Sequence, residues 1–164
     1  MALRSYRFGP DGNAEARRSS ILAHGPIIPL QIASARPPAD ANELSPGFVP
    51  RTMTVKALLD TGASLNGIDS ELAQSLGLAI VDRRFASSGL GSGMTDIYLG
   101  DLRIPALESK IGERLFGLSL GGPNSHFQLL LGRPFLQDFI FRYDGLEGEF
   151  YLETPDYRSL SDTA

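Results

Sequence analysis

Between Arg51 and Asp60, Met53, Val55, Ala57 and Leu59 alternate with Thr52, Thr54 and Lys56, and the run ends in the apolar doublet Leu58-Leu59. Alternation with period two marks a strand with one face in a core, and the doublet predicts burial of both faces at its end. That strand then breaks at a carboxylate, giving Asp60-Thr61-Gly62-Ala63-Ser64. A charge aimed from the end of an apolar run has two ordinary explanations. One is chemistry; the other is a tight turn, because Asp and Gly are common turn residues. Any fold for this chain must therefore place a buried strand end and a short acidic loop side by side.

A second apolar run, Gln128-Leu129-Leu130-Leu131, breaks at Gly132 into Arg133-Pro134-Phe135-Leu136, which reads as a short helical turn. A β-hairpin follows from Phe139 to Leu152, with Asp144-Gly145 as its turn signal. Upstream, Ile27 to Ser34 is a strand candidate, and the prolines at 37, 38, 46 and 50 mark residues 35–50 as a loop. Asp69 to Gly77 reads as a short helix, with Asp69 as N-cap and Gly77 just past its end. Leu78 to Phe85 is a further strand. The tract Ala86 to Met94 is small and glycine-rich, Ile97 to Ile104 is a strand or a hairpin about Gly100-Asp101, and Leu107 to Leu120 is expected to hold two short strands. Residues 1–25, polar and aperiodic, are expected as a flexible arm, and residues 154–164 as a tail. The expected architecture is all-β with one or two short helices.

At 164 residues the chain suits one domain with a real core. A net charge of −4 and a pI near 5.1 argue against a nucleic-acid partner. The pairs Arg17-Arg18 and Arg83-Arg84 are expected as solvated surface charge. Cysteine is absent, which excludes disulfides, thiolate metal sites and cysteine nucleophiles. Met1 to Ser20 carries Arg4, Arg7, Asp11, Glu15, Arg17 and Arg18 without an apolar core, and no later run reaches membrane-spanning length. A cytoplasmic protein without membrane contact is the expectation. His24 and His126 lie far apart in sequence without a carboxylate cluster at ligand spacing, so neither a metal nor another cofactor is expected. Gly89-Leu90-Gly91-Ser92-Gly93 lacks the spacing of a nucleotide loop. Gly117-Leu118-Ser119-Leu120-Gly121 has the spacing of a serine-hydrolase nucleophile elbow. That elbow needs a helix directly after its serine, and Gly122-Pro123-Asn124 follows instead.

Taken together, Leu58-Leu59-Asp60-Thr61-Gly62-Ala63-Ser64 and the later Leu130-Leu131-Gly132-Arg133 resemble the retropepsin family of aspartic proteases, the small single-lobe relatives of pepsin. The resemblance spans residues 26–153. It implies a closed-barrel-like acid protease lobe with a flap hairpin, which works as a homodimer on a peptide or protein substrate. Peptide hydrolysis of this kind needs two carboxylates facing one water. This chain holds one Asp-Thr-Gly and about half the length of a two-lobed enzyme, so the second aspartate would come from a second copy across a two-fold axis.

The resemblance makes Asp60 the catalytic residue, with Thr61 bracing the floor across the axis and Gly62 leaving room for a peptide backbone. It puts Leu131 and Gly132 behind the loop and Arg133 at the start of the short helix. Ala63 and Ser64, with Ser88, Gly89, Leu90 and Gly91 of the glycine-rich tract, would contact substrate. Read from the residues alone, Thr61-Gly62 is also a plain turn, and the glycine-rich tract is either a flap or an ordinary flexible loop. Viral members carry an acidic residue where Ser64 stands, which pairs with the late arginine; Arg133 here needs another partner, such as Asp138 or a residue of the other subunit. These departures fit a cellular or bacterial member better than a viral one. The alternative function is an inactive retropepsin-like domain that dimerises or binds peptides.

Overall fold

The structure is a computed structural model that describes residues 3–34, 51–88 and 91–155. In chain order the elements are β1 (Leu3–Phe8), α1 (Ala14–His24), β2 (Ile27–Ser34), β3 (Thr52–Leu59), β4 (Gly67–Asp69), α2 (Ser70–Ser75), β5 (Ala79–Ser88), β6 (Gly91–Ile104), β7 (Ser109–Leu118), β8 (Leu129–Leu131), α3 (Arg133–Leu136), β9 (Ile140–Asp144) and β10 (Glu149–Pro155). The protein is all-β, built on a closed barrel. Strands β2-β3-β8-β4-β7-β6 follow one another, and β6 returns to pair with β2. β5 continues the sheet beyond β6, and a separate sheet has the order β1-β10-β9.

The barrel closes because β2 and β3 each turn one face inward. Ile28, Leu30 and Ile32 meet Val55, Ala57 and Leu59, joined by Ile68, Leu102, Ile104, Leu115, Leu129, Leu131 and Phe135. The predicted alternation in β3 holds with two differences: Met53, at the strand's entry, is 44% exposed, and Leu58 is half-buried rather than buried. Closure occurs where Ser34 pairs with Gly100. A Cβ on Gly100 would stand 3.1 Å from Leu115 Cδ1 and 3.3 Å from Ile32 Cδ1. Gly100 therefore serves a close crossing inside one continuous strand, not a hairpin turn. Likewise β7 is one strand rather than two. Its Gly117 faces Ser70 Oγ and Tyr98, where a Cβ would meet atoms at 2.9 and 3.0 Å.

The largest departure lies at residues 3–24. The expected flexible arm is a strand and an eleven-residue helix, which joins the two shorter α-helices seen among the described residues. β1 pairs with β10 from Leu3↔Pro155 to Phe8↔Phe150, and the Phe8 and Phe150 rings stack at 5.8 Å. Asn13 caps α1 by accepting the Ala16 N–H at 2.9 Å, and Ile21 is buried. Arg17 is not solvated surface charge. Its guanidinium donates to the Glu147 carbonyl at 3.0 Å and the Gly12 carbonyl at 2.8 Å, and lies 3.4 Å from Glu149 Oε1. Gly148, at φ +65°, lets the helix close on the hairpin, since a Cβ there would lie 2.4 Å from the Arg18 nitrogen. Arg83 and Arg84 do sit at the surface, paired with Asp96 at 2.7 Å and Asp82 at 2.8 Å. The expected tail at 154–164 begins inside β10; its later part and the proline-rich loop of 35–50 lie outside the described residues.

Arg17→Ala should loosen α1 from the β9–β10 hairpin, at a cost of about 1 kcal/mol for the lost, partly exposed hydrogen bonds and stem packing. Limited proteolysis should then cut first within residues 9–26, and unchanged digestion would show that Arg17 does not hold the helix.

Candidate active site

Asp60 sits one residue past β3, and the loop it opens is clasped from behind by the end of β8 and the start of α3. β3 and β8 run parallel, with Leu59 opposite Leu131. The Asp60 N–H donates to the Leu131 carbonyl at 2.9 Å, and the Arg133 N–H donates to the Ala63 carbonyl at 3.0 Å. The Arg133 guanidinium reaches back over the same loop, donating to the carbonyls of Thr61 at 3.2 Å and Gly62 at 3.1 Å. The partners of Arg133 are thus two backbone oxygens of the acidic loop, rather than Asp138. Within the loop, Asp60 Oδ1 accepts the Gly62 N–H at 2.8 Å, and the Ala63 N–H donates to the Asp60 carbonyl at 3.2 Å. This is the geometry of an Asx turn: the carboxylate of half-buried Asp60 is oriented by the loop it begins.

The structure therefore gathers Asp60, Thr61, Gly62, Ala63, Leu131, Gly132 and Arg133 into one cluster. Thr61, Gly62 and Ser64 are exposed, Ala63 is half-buried, and Leu131 and Gly132 are buried. Gly132 has no room for a side chain: a Cβ would stand 2.4 Å from the Leu65 carbonyl oxygen and 2.7 Å from that of Ala63. Ser88 and Gly91 pair at the far end of the long β5–β6 hairpin, while Gly89 and Leu90 lie outside the described residues. The hairpin is the element the flap reading requires. Near its end Ser92 donates to Ser87 Oγ at 2.8 Å, and Phe85, opposite Met94, leaves both side chains largely exposed.

One residue in the cluster was not anticipated. Asn66, 2% exposed, accepts the Gly132 N–H on Oδ1 at 2.9 Å and donates from Nδ2 to Glu113 Oε2 at 2.8 Å. Its carbonyl also takes the Phe116 N–H at 2.9 Å. A lone asparagine beside a glycine reads as a turn, and nothing in the local sequence marks it as a buried strut. Burial pushes the Glu113 carboxyl above its usual range; the Asn66 hydrogen bond opposes this and the charge of Asp138 adds to it. Asp69 is the buried cap of α2, accepting from the N–H groups of Glu71, Leu72, Leu120 and Gly122. A concavity of about 400 Å³ beside α2, lined by Met53, Val55, Leu72 and Gln128 among others, includes none of the loop residues.

The two histidines are not apart in space. The rings of His24, at the end of α1, and His126 lie 4.1 Å apart at a 33° tilt. Among the described residues no group of three or more His, Cys, Asp or Glu is placed to hold a metal ion. Ser119, of the elbow-like pentapeptide, is an exposed residue just after β7, followed by a single 3-10 turn. No helix among the described residues is long and apolar enough to cross a membrane.

No family model matches the sequence, and no curated protein matches it. Among solved structures, the chain is similar to one described as the solution structure of simian foamy virus (mac) protease. Identity is 12% and the TM-score 0.39, over 67% of this chain and 92% of that one. A likeness of that degree leaves the chemistry to be argued from the Asp60 loop itself.

Proposed function

We propose that the protein is an aspartic endopeptidase that hydrolyses peptide bonds through a water held between two Asp60 carboxyls, one from each subunit of a homodimer. The observation that carries this reading is the clasp on the acidic loop. Backbone and side-chain bonds from Leu131 and Arg133 fix the loop, while its single carboxyl stays half-exposed with one oxygen committed to the Gly62 N–H. A simple turn at a strand end does not need a buried strand, a helix start and an arginine to hold it.

Two facing carboxyls cannot both carry charge cheaply, so the pair holds one proton between them. The ionised member takes a proton from the water as that water attacks the peptide carbonyl. The protonated member donates to the carbonyl oxygen, and the leaving nitrogen then receives a proton as the C–N bond breaks. Gly62 would leave space for the peptide backbone, and Thr61, exposed on the same loop, would brace the partner subunit's loop. The β5–β6 hairpin would close over an extended peptide that lies as an added strand, with Ala63, Ser64, Ser88, Gly89, Leu90 and Gly91 along it.

The test is incubation with a diverse peptide library, with and without a hydroxyl-bearing mimic of the tetrahedral intermediate. Expected are cleavage blocked by the mimic and a specific activity that rises with protein concentration until the dimer saturates. A dimer that binds peptides and cleaves none, from mildly acidic to neutral pH, would instead establish a binding module.

A further inference from the structure

We propose that Glu113 and Asn66 are a positioning pair for the Asp60 loop, in which Glu113 fixes the end of the Asn66 amide that faces Gly132. The proposal rests on the reading of Asp60 as catalytic for its kinetic consequence only; its structural half stands on the contacts themselves. Gly132 lies between the two residues that clasp the loop, Leu131 on the Asp60 N–H and Arg133 on the Ala63 carbonyl. Because Gly132 is wedged against the carbonyls of Leu65 and Ala63, a shift at its nitrogen is passed to both sides of the loop. Its N–H is held by Asn66 Oδ1 and by no other recorded group among the described residues.

An amide side chain has a donor end and an acceptor end of nearly the same shape, so its neighbours decide which way it faces. An ionised carboxylate only accepts. With Glu113 ionised, Nδ2 must face it and Oδ1 must face Gly132, as observed. The reversed amide would oppose donor to donor at Gly132 and acceptor to acceptor at Glu113. Once Glu113 takes a proton it gains a donor, and the reversed amide is no longer excluded at that end. The groups facing Glu113 are Asn66, ahead of β4, and the charge of Asp138, just past α3. Because burial and Asp138 favour the neutral carboxyl, the lock loosens at a less acidic pH than an ordinary glutamate would allow.

The test is amide hydrogen exchange on the full chain at neutral pH, comparing wild type with E113A and E113Q. Glutamine keeps an oxygen that can accept from Asn66, carries an N–H donor at every pH as the protonated acid does, and cannot titrate. E113A should exchange the Gly132 and Arg133 amides about tenfold faster, the effect of losing one buried hydrogen-bond anchor. E113Q should exchange Gly132 faster than wild type and no faster than E113A, and amides of the remote strand β10 should be unchanged in both. If the wild type is a peptidase, E113A should lower kcat about tenfold with KM unchanged, and E113Q should leave only the acid-side decline set by the Asp60 pair itself. A wild type without peptidase activity would overturn the endopeptidase reading while the exchange data still decide this one. Gly132 exchange equal to wild type in E113A or in E113Q would overturn the pair. If E113A does not fold, wild type against E113Q carries the test. After correction for intrinsic exchange, Gly132 protection should decline in mild acid only in wild type, and identical profiles would overturn the proposal.

Discussion

Asp60→Asn should lower peptide cleavage by at least about four orders of magnitude and leave the fold in place. The asparagine oxygen can still accept the Gly62 N–H now held by Asp60 Oδ1 at 2.8 Å, so the turn retains its internal bond. What disappears is the charge. In the proposed dimer the variant has no carboxylate to take the water's proton and no carboxylic acid to protonate the peptide carbonyl. Each of those functions contributes about two to four orders of magnitude. The thermal midpoint should move by no more than about 3 °C, as befits a half-exposed substitution. The decisive measurement is turnover of a peptide substrate by wild type and variant at matched concentration. A variant that retains turnover would remove Asp60 from the chemistry, whatever the state of its fold.

The second large effect is expected at Gly132→Ala, and here it falls on stability. The backbone at Gly132, φ −90° and ψ −164°, is one that alanine adopts freely, so the cost is spatial. The added methyl would overlap two backbone oxygens, those of Leu65 at 2.4 Å and Ala63 at 2.7 Å, and neither can swing aside as a side chain would. Either the acidic loop or the start of α3 must retreat, and both the Asn66 bond and the Arg133–Ala63 bond stretch with it. A loss of about 3 kcal/mol follows, or a thermal midpoint lower by about 10 °C. Gly93→Ala is the matched control: nothing lies within 4 Å of its Cβ position, and a change within about 0.5 kcal/mol is expected. Equal midpoints for the two variants in thermal denaturation would show that the loop yields without cost.

What could be read from the sequence was whatever rests on local pattern. The alternation from Val55 to Leu59, the strand Ile27 to Ser34 and the Asp69 cap each carry their own signal, and each lies where that signal puts it. The gathering of Leu131, Gly132 and Arg133 behind Asp60 followed from a resemblance between two motifs, not from periodicity. Glycines misled where they serve close approach instead of turning. Gly100 and Gly117 break the apolar pattern because another chain segment passes there, and that segment is remote in sequence. β4 is three residues long and leaves no period to detect. α1 is polar on nearly every side, with Ile21 as its buried residue, and its hold depends on Arg17 reaching the Glu147 carbonyl. No window of local sequence contains that contact. Asn66 and the His24–His126 stack were hidden for the same reason.

The pairing of β1 with β10 has a consequence for how the molecule is made. Arg7 and its ion-pair partner Glu149 stand 142 positions apart along the chain. On the ribosome, β1 must wait for the residues up to β10 to emerge before it has an edge to join, and the loop closed by that pairing is long enough to slow the step. Until then Tyr6 and Phe8 are without their sheet, available to other nascent chains. Weaker induction, which lowers the concentration of waiting chains, should accordingly raise the soluble fraction.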